Sequence, residues 1–462
     1  MSPVHLARRA SGSRRDFLAA TLSGASLAAA SRLPAAAAVH AGGSDEIRVA
    51  LVGCGGRGSG AAADALAAPG ARVRIVAMAD IFKERIESTR RSLGERFKER
   101  VDVPDERCFV GIGGYRDAVD ALRPGDVAVF ATPPAFRGPH FAHAIAKGVH
   151  VFMEKPISID GPSTRRMLDL AARADAANLK VAVGLMCRHS SARQELFARL
   201  HDGEAGELLA FHGFREQGPV MPMDLHPGPP EGMSELLWQA KRFHGFLWAS
   251  GGVFSDFYVH HIDEVCWMKN AWPVSAEAVG GRHFQGRVND QNFDSYGVKY
   301  TFADGTPFFY SGRTMKDCEH KFGVFGQGTK GAFTISERGH APARSTIYRG
   351  QARSPDAIVW AAAQPEKNPY RQEWEDFLAA IVADVPYNEA RRGAEASLVT
   401  AMGRFAAHTG RTTTFEQMLA SADDLAAGID TLADDSPPPV VRNAEGKYPV
   451  PMPGRYRYEY RD

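Results

Sequence analysis

The sequence predicts an α/β protein in which a parallel sheet with crossover helices precedes an α+β domain with a large, mainly antiparallel sheet. Strand and helix patterns alternate from residue 45 to about residue 180, as expected for parallel strands joined by helices. Several consecutive strand patterns then follow between residues 207 and 336. The chain is long enough for two domains, which we place at residues 45–180 and 181–435.

A glycine-rich turn begins the first domain. The apolar run at residues 47–52 enters Gly53-Cys54-Gly55-Gly56-Arg57-Gly58 and continues into alanine-rich, helix-favouring sequence. Such glycines allow backbone N–H groups and a helix N-terminus to approach a pyrophosphate. A second strand pattern at residues 73–79 ends in Asp80, where dinucleotide-binding folds place an acid that binds ribose. A purely structural glycine turn does not account for this order of strand, glycines, helix and acid, so we predict a Rossmann-type dinucleotide site.

The rest of the first domain alternates in the same way. Strands are predicted at residues 126–131, 149–153 and 181–184, with helices near 139–147 and 161–177. Gly148 suits the C-terminal cap of the first of these helices.

The second domain begins with strands predicted at residues 207–214, 294–302, 307–311, 321–326 and 332–336. Asp304-Gly305 is typical of a hairpin turn. Two late helices are predicted at residues 369–382 and 391–408, the first opened by Asn368 and Pro369. Whether they pack back on the first domain stays open. A Pro-rich tail at residues 436–462 is expected to wrap a surface or a partner subunit.

The N-terminus has the features of an export signal. Arg14-Arg15 precede a moderately apolar Ala/Leu/Ser run, and Ala35 to Ala38 offer small-residue cleavage sites. The run is too short and too weakly apolar to span a membrane. We expect residues 1–40 to be a twin-arginine signal peptide, so that the export machinery carries the folded protein to the periplasm or another extracytoplasmic space. A cytoplasmic amphipathic helix is the poorer interpretation.

Composition excludes several classes of function. There are 55 Lys and Arg against 54 Asp and Glu, and no basic tract alternates with aromatic residues, so nucleic acid is not an expected partner. The five cysteines are scattered without Cys-x-x-Cys spacing, which predicts neither a disulfide framework nor a structural zinc site. We expect most of them to be small buried hydrophobic residues.

Four motifs carry a resemblance to a known family. They are the glycine turn, Thr132-Pro133-Pro134, Glu154-Lys155-Pro156, and residues 251–256 (Gly-Gly-Val-Phe-Ser-Asp) with His260 and Asp263. Over residues 47 to about 410 the chain resembles the Gfo/Idh/MocA family of sugar-type dehydrogenases. The resemblance implies an NAD(P)-dependent oxidoreductase and a cis bond before Pro156. Asp80 favours NAD because a carboxylate repels a 2′-phosphate, although Arg57 and Lys83 leave NADP open.

The resemblance also implies a catalytic set of Lys155, Asp256 and His260. The spacing of Asp256 and His260 puts them on one face of a helix, with Asp263 one turn further. A histidine flanked by carboxylates is a plausible general base. His260 would take the proton of a substrate hydroxyl, Lys155 would polarise the oxygen, and Asp256 would orient substrate or imidazole. A helix N-terminal acid and a buried histidine would explain each residue but not their spacing.

Other residues are weaker candidates. Thr132, Pro133, Glu154 and Arg188 would lie beside the cofactor, although a salt bridge accounts for Arg188 nearly as well. A metal held by the carboxylates around His260-His261 is disfavoured because His-Glu-x-x-His spacing is absent. Some aromatic residues of this region could line a sugar pocket: Trp238, Phe243, Trp248 and Phe254. Three consecutive loop residues could also contribute to it: Asn289, Asp290 and Gln291.

These observations predict a dehydrogenase that acts on a hydroxyl-bearing carbon of a sugar, cyclitol or sugar acid. An exported enzyme has little free NAD around it, so we expect a tightly bound cofactor, and we expect a homo-oligomer. The alternative is a glycosidase or lyase that oxidises its substrate transiently with a retained cofactor. A sugar-binding protein without catalysis is disfavoured by the intact Lys155, Asp256 and His260.

Overall fold

The first region of the chain alternates strands and helices. The computed structural model describes residues 46–220, 228–283 and 289–454. The alternating elements are β1 (Glu46–Val52), α1 (Gly56–Ala67), β2 (Arg72–Asp80), α2 (Lys83–Phe97), β3 (Cys108–Val110), α3 (Gly114–Asp120), β4 (Val127–Phe130), α4 (Arg137–Lys147), β5 (His150–Met153), α5 (Gly161–Ala176) and β6 (Val181–Val183).

Among the described residues, these six strands form one parallel sheet with the order β3-β2-β1-β4-β5-β6. Apart from the edge strand β3, most of their side chains are buried, because helices cover both faces of a parallel sheet. The first domain extends past the expected boundary at residue 180, since β6 pairs with β5. Strand β3 was not predicted, because three residues are too few to show a periodic pattern.

The second region contributes further helices and strands: α6 (Ser191–His201), β7 (Leu208–Gln217), α7 (Glu235–Lys241), α8 (Leu247–Ser250), α9 (Gly252–Lys269), β8 (Ser275–Gly281), β9 (Ser295–Thr301), β10 (Pro307–Thr314), β11 (Lys321–Gly328), β12 (Ala332–Glu337), β13 (Thr346–Tyr348), β14 (Ile358–Ala361), α10 (Pro369–Val382), α11 (Ala390–Thr409), β15 (Thr413–Thr414) and α12 (Phe415–Ala420).

In the described part of the chain, nine strands form the second sheet, in the order β14-β13-β12-β11-β7-β10-β9-β8-β15. Its strands pair antiparallel except for β7 and β10, which are parallel. This confirms a mainly antiparallel sheet. Helix α9 packs against it through Phe254, Tyr258 and Ile262, which belong to one buried cluster with Tyr300 and Tyr310. The sheet therefore holds α9 in place.

Helix α10 packs back on the first sheet. Trp374 stacks on Phe152 of β5, with ring centroids 4.3 Å apart and an interplanar angle of 15°. The ends of α10 match the prediction, and Asn368 caps it by accepting a hydrogen bond from the backbone N–H of Tyr370. The late chain thus completes the core of the first domain.

The described part of the tail lies against α7. The side-chain amide of Gln239 donates to the carbonyl of Val440, and Arg442 pairs with Glu235 at 2.8 Å. Tyr448 joins a buried cluster with Phe246. The residues of the expected signal peptide, 1–40, lie outside the described ranges. None of the described helices combines the length and apolar character needed to cross a membrane.

Candidate active site

A cavity of about 510 Å³ lies where the parallel strands end, a volume typical of small-molecule sites. The glycine turn, the ends of β2, β4 and β5, and helix α9 all contribute to it. The predicted residues that line it are Gly53, Gly55, Gly56, Arg57, Gly58, Asp80, Thr132, Pro133, Glu154, Lys155, Asp256 and His260. The structure therefore brings these twelve residues to one place.

The glycine turn is tightly packed on one side and open on the other. Gly53 has φ +93°, and a Cβ on Gly58 would lie 1.8 Å from the carbonyl oxygen of Gly53. By contrast, a Cβ on Gly55 or Gly56 would meet no atom within 4 Å. Helix α1 begins at Gly56 without a side-chain cap or an acidic residue in its first turn. Its free N–H groups and the space beside them fit the pyrophosphate of a dinucleotide.

Asp80 braces this turn. One carboxylate oxygen accepts a hydrogen bond from the backbone N–H of Cys54 at 2.7 Å, and the other accepts from Phe82 at 2.9 Å. Burial raises the pKa of Asp80, although Arg85 and these hydrogen bonds oppose that shift. Asp80 lines the cavity, and its role toward ribose stays a prediction.

Charged side chains connect the turn to the ends of the neighbouring strands. Arg57 Nε lies 2.9 Å from Glu154 Oε1, and its guanidinium lies over the ring of Tyr370. Arg137 donates to the carbonyl of Glu154 and to the hydroxyl of Thr132. Burial lowers the pKa of Arg137 to about 10. The strand ends are thus held in a fixed arrangement around the cavity.

Lys155 connects β5 to α9. The Lys155-Pro156 bond is cis, as the resemblance implied. Lys155 Nζ donates to the main-chain oxygen of Asp256 at 2.6 Å and lies 3.6 Å from Asp256 Oδ1. The lysine is therefore oriented by the helix that carries the other two predicted catalytic residues.

Asp256 faces a histidine that the sequence did not indicate. Its second carboxylate oxygen, Oδ2, lies 2.7 Å from His244 Nδ1. Burial alone would raise the pKa of Asp256, but Lys155 and His244 lower it to about 2. Asp256 is therefore ionised at neutral pH.

His260 has different surroundings. Its Nδ1 lies 4.0 Å from Cys187 Sγ, and its ring centroid lies 4.7 Å from that of His340. Burial, with His340, Lys155 and Arg215 nearby, holds the pKa of His260 well below its usual value. The imidazole is therefore neutral at neutral pH, which is the state that a proton acceptor requires.

Arg188 and Asp263 are paired with each other. Arg188 forms two 2.8 Å hydrogen bonds to the carboxylate of Asp263, and neither residue lines the cavity. The carboxylate of Asp263 is thus engaged by Arg188. The salt bridge that the sequence left open for Arg188 is present, and a role of Arg188 beside the cofactor stays a prediction.

Several weaker candidates have structural roles. Gln291 accepts a hydrogen bond from the backbone N–H of Leu247 at 3.1 Å. Asp290 pairs with Arg282, and Asn289 hydrogen-bonds with the tail at Tyr448. Of the four aromatic candidates, Phe243 lines the cavity, whereas Trp238, Trp248 and Phe254 belong to apolar cores.

The acids near His260 do not converge on a metal site. Asp256 faces His244, Asp263 pairs with Arg188, and Glu264 pairs with Arg193 at 2.8 Å. Among the described residues, a different group has candidate ligand atoms within 4.8 Å of one another: Cys187, Glu264 and His340. Arg193 already supplies the countercharge of that glutamate.

Sequence reasoning missed several polar residues that line the cavity, among them His244, His340 and Arg215. His340 and Arg215 are distant in sequence from the motifs, and His244, which precedes the motif at residues 251–256, belongs to no recognisable pattern. The three cysteines Cys54, Cys187 and Cys266 are buried and free, as expected.

Comparison with known proteins identifies the first domain. Residues 47–184 match the GFO_IDH_MocA family model, described as an oxidoreductase family with an NAD-binding Rossmann fold. An inositol 2-dehydrogenase of Corynebacterium glutamicum is 28% identical over 178 residues, which are 38% of this chain and 43% of that protein. A glycosyl hydrolase family 109 protein of Streptomyces coelicolor is 27% identical over 170 residues, 36% of this chain and 33% of that protein.

The match to these curated relatives thus spans less than half of their length. The fold similarity is more extensive. A crystal structure of myo-inositol 2-dehydrogenase from Lactobacillus plantarum superposes with a TM-score of 0.59 at 18% identity, covering 80% of this chain and 99% of that chain. The two-sheet architecture is therefore shared over most of the chain.

Proposed function

We propose that this chain, whose residues 47–184 match the Gfo/Idh/MocA oxidoreductase family, is an NAD-dependent dehydrogenase acting on a CH–OH group of a sugar, cyclitol or sugar acid. One observation carries the proposal. Lys155, Asp256 and His260 line the same cavity as the uncapped N-terminus of α1. Groups for proton transfer and a cradle for a dinucleotide are therefore within one site.

Each of these three residues has a separate role in the proposed reaction. Bound NAD would supply a hydride acceptor at its nicotinamide ring. The neutral His260 takes the proton of the substrate hydroxyl, and Lys155 donates a hydrogen bond to the same oxygen as negative charge develops there. Asp256 orients Lys155. NAD is favoured over NADP because Asp80 would repel a 2′-phosphate.

The test uses purified protein and a panel of polyols, aldoses, cyclitols and sugar acids. Absorbance of the reduced nicotinamide is followed with NAD and, separately, with NADP. Lys155→Ala should bind NAD like the wild type and lose turnover. If no compound reduces either cofactor while aryl glycosides release phenol, the protein is not a net dehydrogenase.

That outcome would favour a second function, a glycosidase or lyase with transient oxidation by a retained cofactor. The likeness to a glycosyl hydrolase family 109 protein supports this alternative. In such a reaction, oxidation beside a leaving group acidifies a C–H bond, the group is eliminated, and the hydride returns. Because the cofactor is regenerated, added NAD would not be consumed.

We further propose that the protein is exported in its folded state and that it retains its bound cofactor. Arg14-Arg15 would direct the folded protein through the twin-arginine route. A cofactor bound at micromolar affinity, about −8 kcal/mol, would then dissociate and not be replaced. Native protein should therefore purify with a nicotinamide dinucleotide, which mass spectrometry of the denatured supernatant would detect. Arg14→Lys with Arg15→Lys should retain the protein in the cytoplasm.

The second sheet supports a homo-oligomer. Val279 and Phe309 are 75% and 42% exposed on it, and large exposed apolar side chains on a sheet face favour association. We propose that a second copy covers this face. Light scattering should give at least a dimer for the wild type and a monomer for Val279→Lys with Phe309→Lys.

A further inference from the structure

The wall that the second domain contributes to the cavity carries a guanidinium. Arg215 lies on β7 and lines the cavity together with Lys155, Asp256 and His260. His340 lies between Arg215 and His260. Its Nε2 is 3.3 Å from Arg215 Nη1, and its ring centroid is 4.7 Å from that of His260. A single side chain, that of His340, thus separates Arg215 from His260, the proposed proton acceptor.

The contacts of Arg215 hold it without neutralising it. Nη1 donates to the main-chain oxygen of Phe257 at 2.6 Å, and Nε donates to the side-chain oxygen of Gln217 at 3.2 Å. The guanidinium carbon lies 5.0 Å from the ring centroid of Phe257 and 5.6 Å from that of Phe322. Within the described ranges, no carboxylate lies at ion-pair distance from Arg215.

Two neighbouring arginines, unlike Arg215, have carboxylate partners. Arg193 pairs with Glu264, and Arg188 pairs with Asp263. The carboxylate on the same wall, Asp256, already faces Lys155 and His244. Of the charged groups of Lys155, Asp256 and Arg215, the guanidinium is therefore the one without an opposite charge within the described ranges.

A partly buried guanidinium without a countercharge is a binding group for an anion. Its planar set of donors matches the oxygens of a carboxylate or phosphate, and such charge-assisted hydrogen bonds are among the stronger ones. The aromatic rings of Phe257 and Phe322 fix the plane of the guanidinium, which reduces the entropy lost on binding.

We propose that Arg215 binds an anionic group of the substrate, so that the enzyme acts on a sugar acid or a sugar phosphate in preference to a neutral sugar or cyclitol. The inference rests on the proposed dehydrogenase function and narrows its substrate class. The pyrophosphate of the cofactor is assigned to the N-terminus of α1, so it does not account for a cation beside His260.

The experiment compares matched compounds that differ in charge: glucose, gluconate, glucuronate and glucose 6-phosphate. Wild type, Arg215→Gln and Arg215→Lys are assayed with NAD at constant ionic strength. Lys321→Gln is the matched control, because Lys321 is an exposed cation of the adjacent strand β11 that does not line the cavity.

The wild type should prefer the anionic compounds. Arg215→Gln should raise KM for them about 10- to 100-fold more than it raises KM for glucose. Arg215→Lys should retain part of the preference, and Lys321→Gln all of it. Comparing gluconate and glucuronate with glucose 6-phosphate shows whether the anionic group that Arg215 binds is a carboxylate or a phosphate. Equal loss for neutral and anionic compounds would mean that Arg215 only supports α9, and the inference would be wrong.

A binding measurement separates this inference from the proposed function. Thermal unfolding of NAD-loaded protein is followed with glucuronate, inorganic phosphate or glucose. Stabilisation by an anion that disappears in Arg215→Gln supports the anion site even if no compound is oxidised. Stabilisation by glucose alone, or anion effects that persist in Arg215→Gln, would overturn the site even if glucose is oxidised.

Discussion

His244 Nδ1 lies 2.7 Å from Asp256 Oδ2, and Lys155 Nζ lies 3.6 Å from Asp256 Oδ1. The carboxylate thus faces a lysine that follows β5 and a histidine that lies between α7 and α8. His260, one turn further along α9, is directed toward Cys187 and His340 instead. His244 and His260 therefore have separable roles.

Exchanging each histidine should distinguish these roles. His260→Asn should reduce kcat by ~10²–10⁴-fold, because it removes the general base. His244→Asn should cost less and should move the acidic limb of the kcat/KM profile to higher pH, since His244 helps to lower the pKa of Asp256. Steady-state kinetics from pH 4 to pH 9 would measure both effects. A near-normal His260→Asn together with an inactive His244→Asn would assign the base to His244.

Two alanine substitutions in the glycine turn should have opposite consequences. Gly58→Ala places a Cβ against the carbonyl oxygen of Gly53 and should cost about 1–3 kcal/mol of unfolding free energy. Gly55→Ala meets open space and should cost less than about 1 kcal/mol. Its methyl group would enter the cofactor space, so Kd for NAD should rise about 10- to 100-fold. Urea unfolding and calorimetric titration would measure the pair. Unchanged NAD affinity in Gly55→Ala would place the cofactor elsewhere.

Asp80→Ala should weaken NAD binding relative to NADP. Loss of a charged acceptor for ribose hydroxyls should cost about 1.5–3 kcal/mol. Because Asp80 also accepts from the backbone N–H groups of Cys54 and Phe82, the affinity for both cofactors should fall. The ratio of the two dissociation constants isolates the contact with ribose. An unchanged ratio would leave Asp80 with the bracing role alone.

His189 should stabilise the fold in a pH-dependent way. Burial would lower its pKa, but the hydrogen bond that it donates to Asp376 at 2.6 Å and its ion pair with Glu389 at 3.4 Å raise it to about 9. The charged form is favoured in the folded state, so this stabilisation is complete below about pH 6.5 and is lost as pH rises through 9. The stabilisation by His189 amounts to at most about 3 kcal/mol. It is smaller than this limit because Asp376 is partly exposed, so that solvent screens its charge.

Urea unfolding of the wild type and His189→Gln at pH 6 and pH 9.5 would measure this effect. The difference between the two proteins should be larger at pH 6 and shrink at pH 9.5. A difference that grows with pH would show that His189 is neutral in the folded protein.

The first domain could be predicted from sequence because its signals are local. The turn from Gly53 to Gly58, Asp80 at the end of its strand, and the ends of α10 all follow from short-range rules on glycine, strand periodicity and capping. Elements of two to four residues, such as β3 and β15, were missed because so few residues show no period.

The candidate site was predicted in part. Residues 132, 154 and 155 lie at strand ends, and parallel strands bring such ends together, so their convergence followed from the fold class. The i, i+4 spacing placed Asp256 and His260 on one face, yet it did not show that the carboxylate of Asp263 is engaged by Arg188.

The sequence by itself determined the fold class and the dinucleotide turn, because each depends on neighbours a few positions away, and its family resemblance implied Lys155, Asp256 and His260 as a catalytic set. Only the tertiary structure decided which charges face one another. It set His244 against Asp256, paired Arg188 with Asp263, and left Arg215 on the cavity wall without a carboxylate. Ion pairs between distant segments depend on where side chains converge after packing, and no spacing along the chain records that.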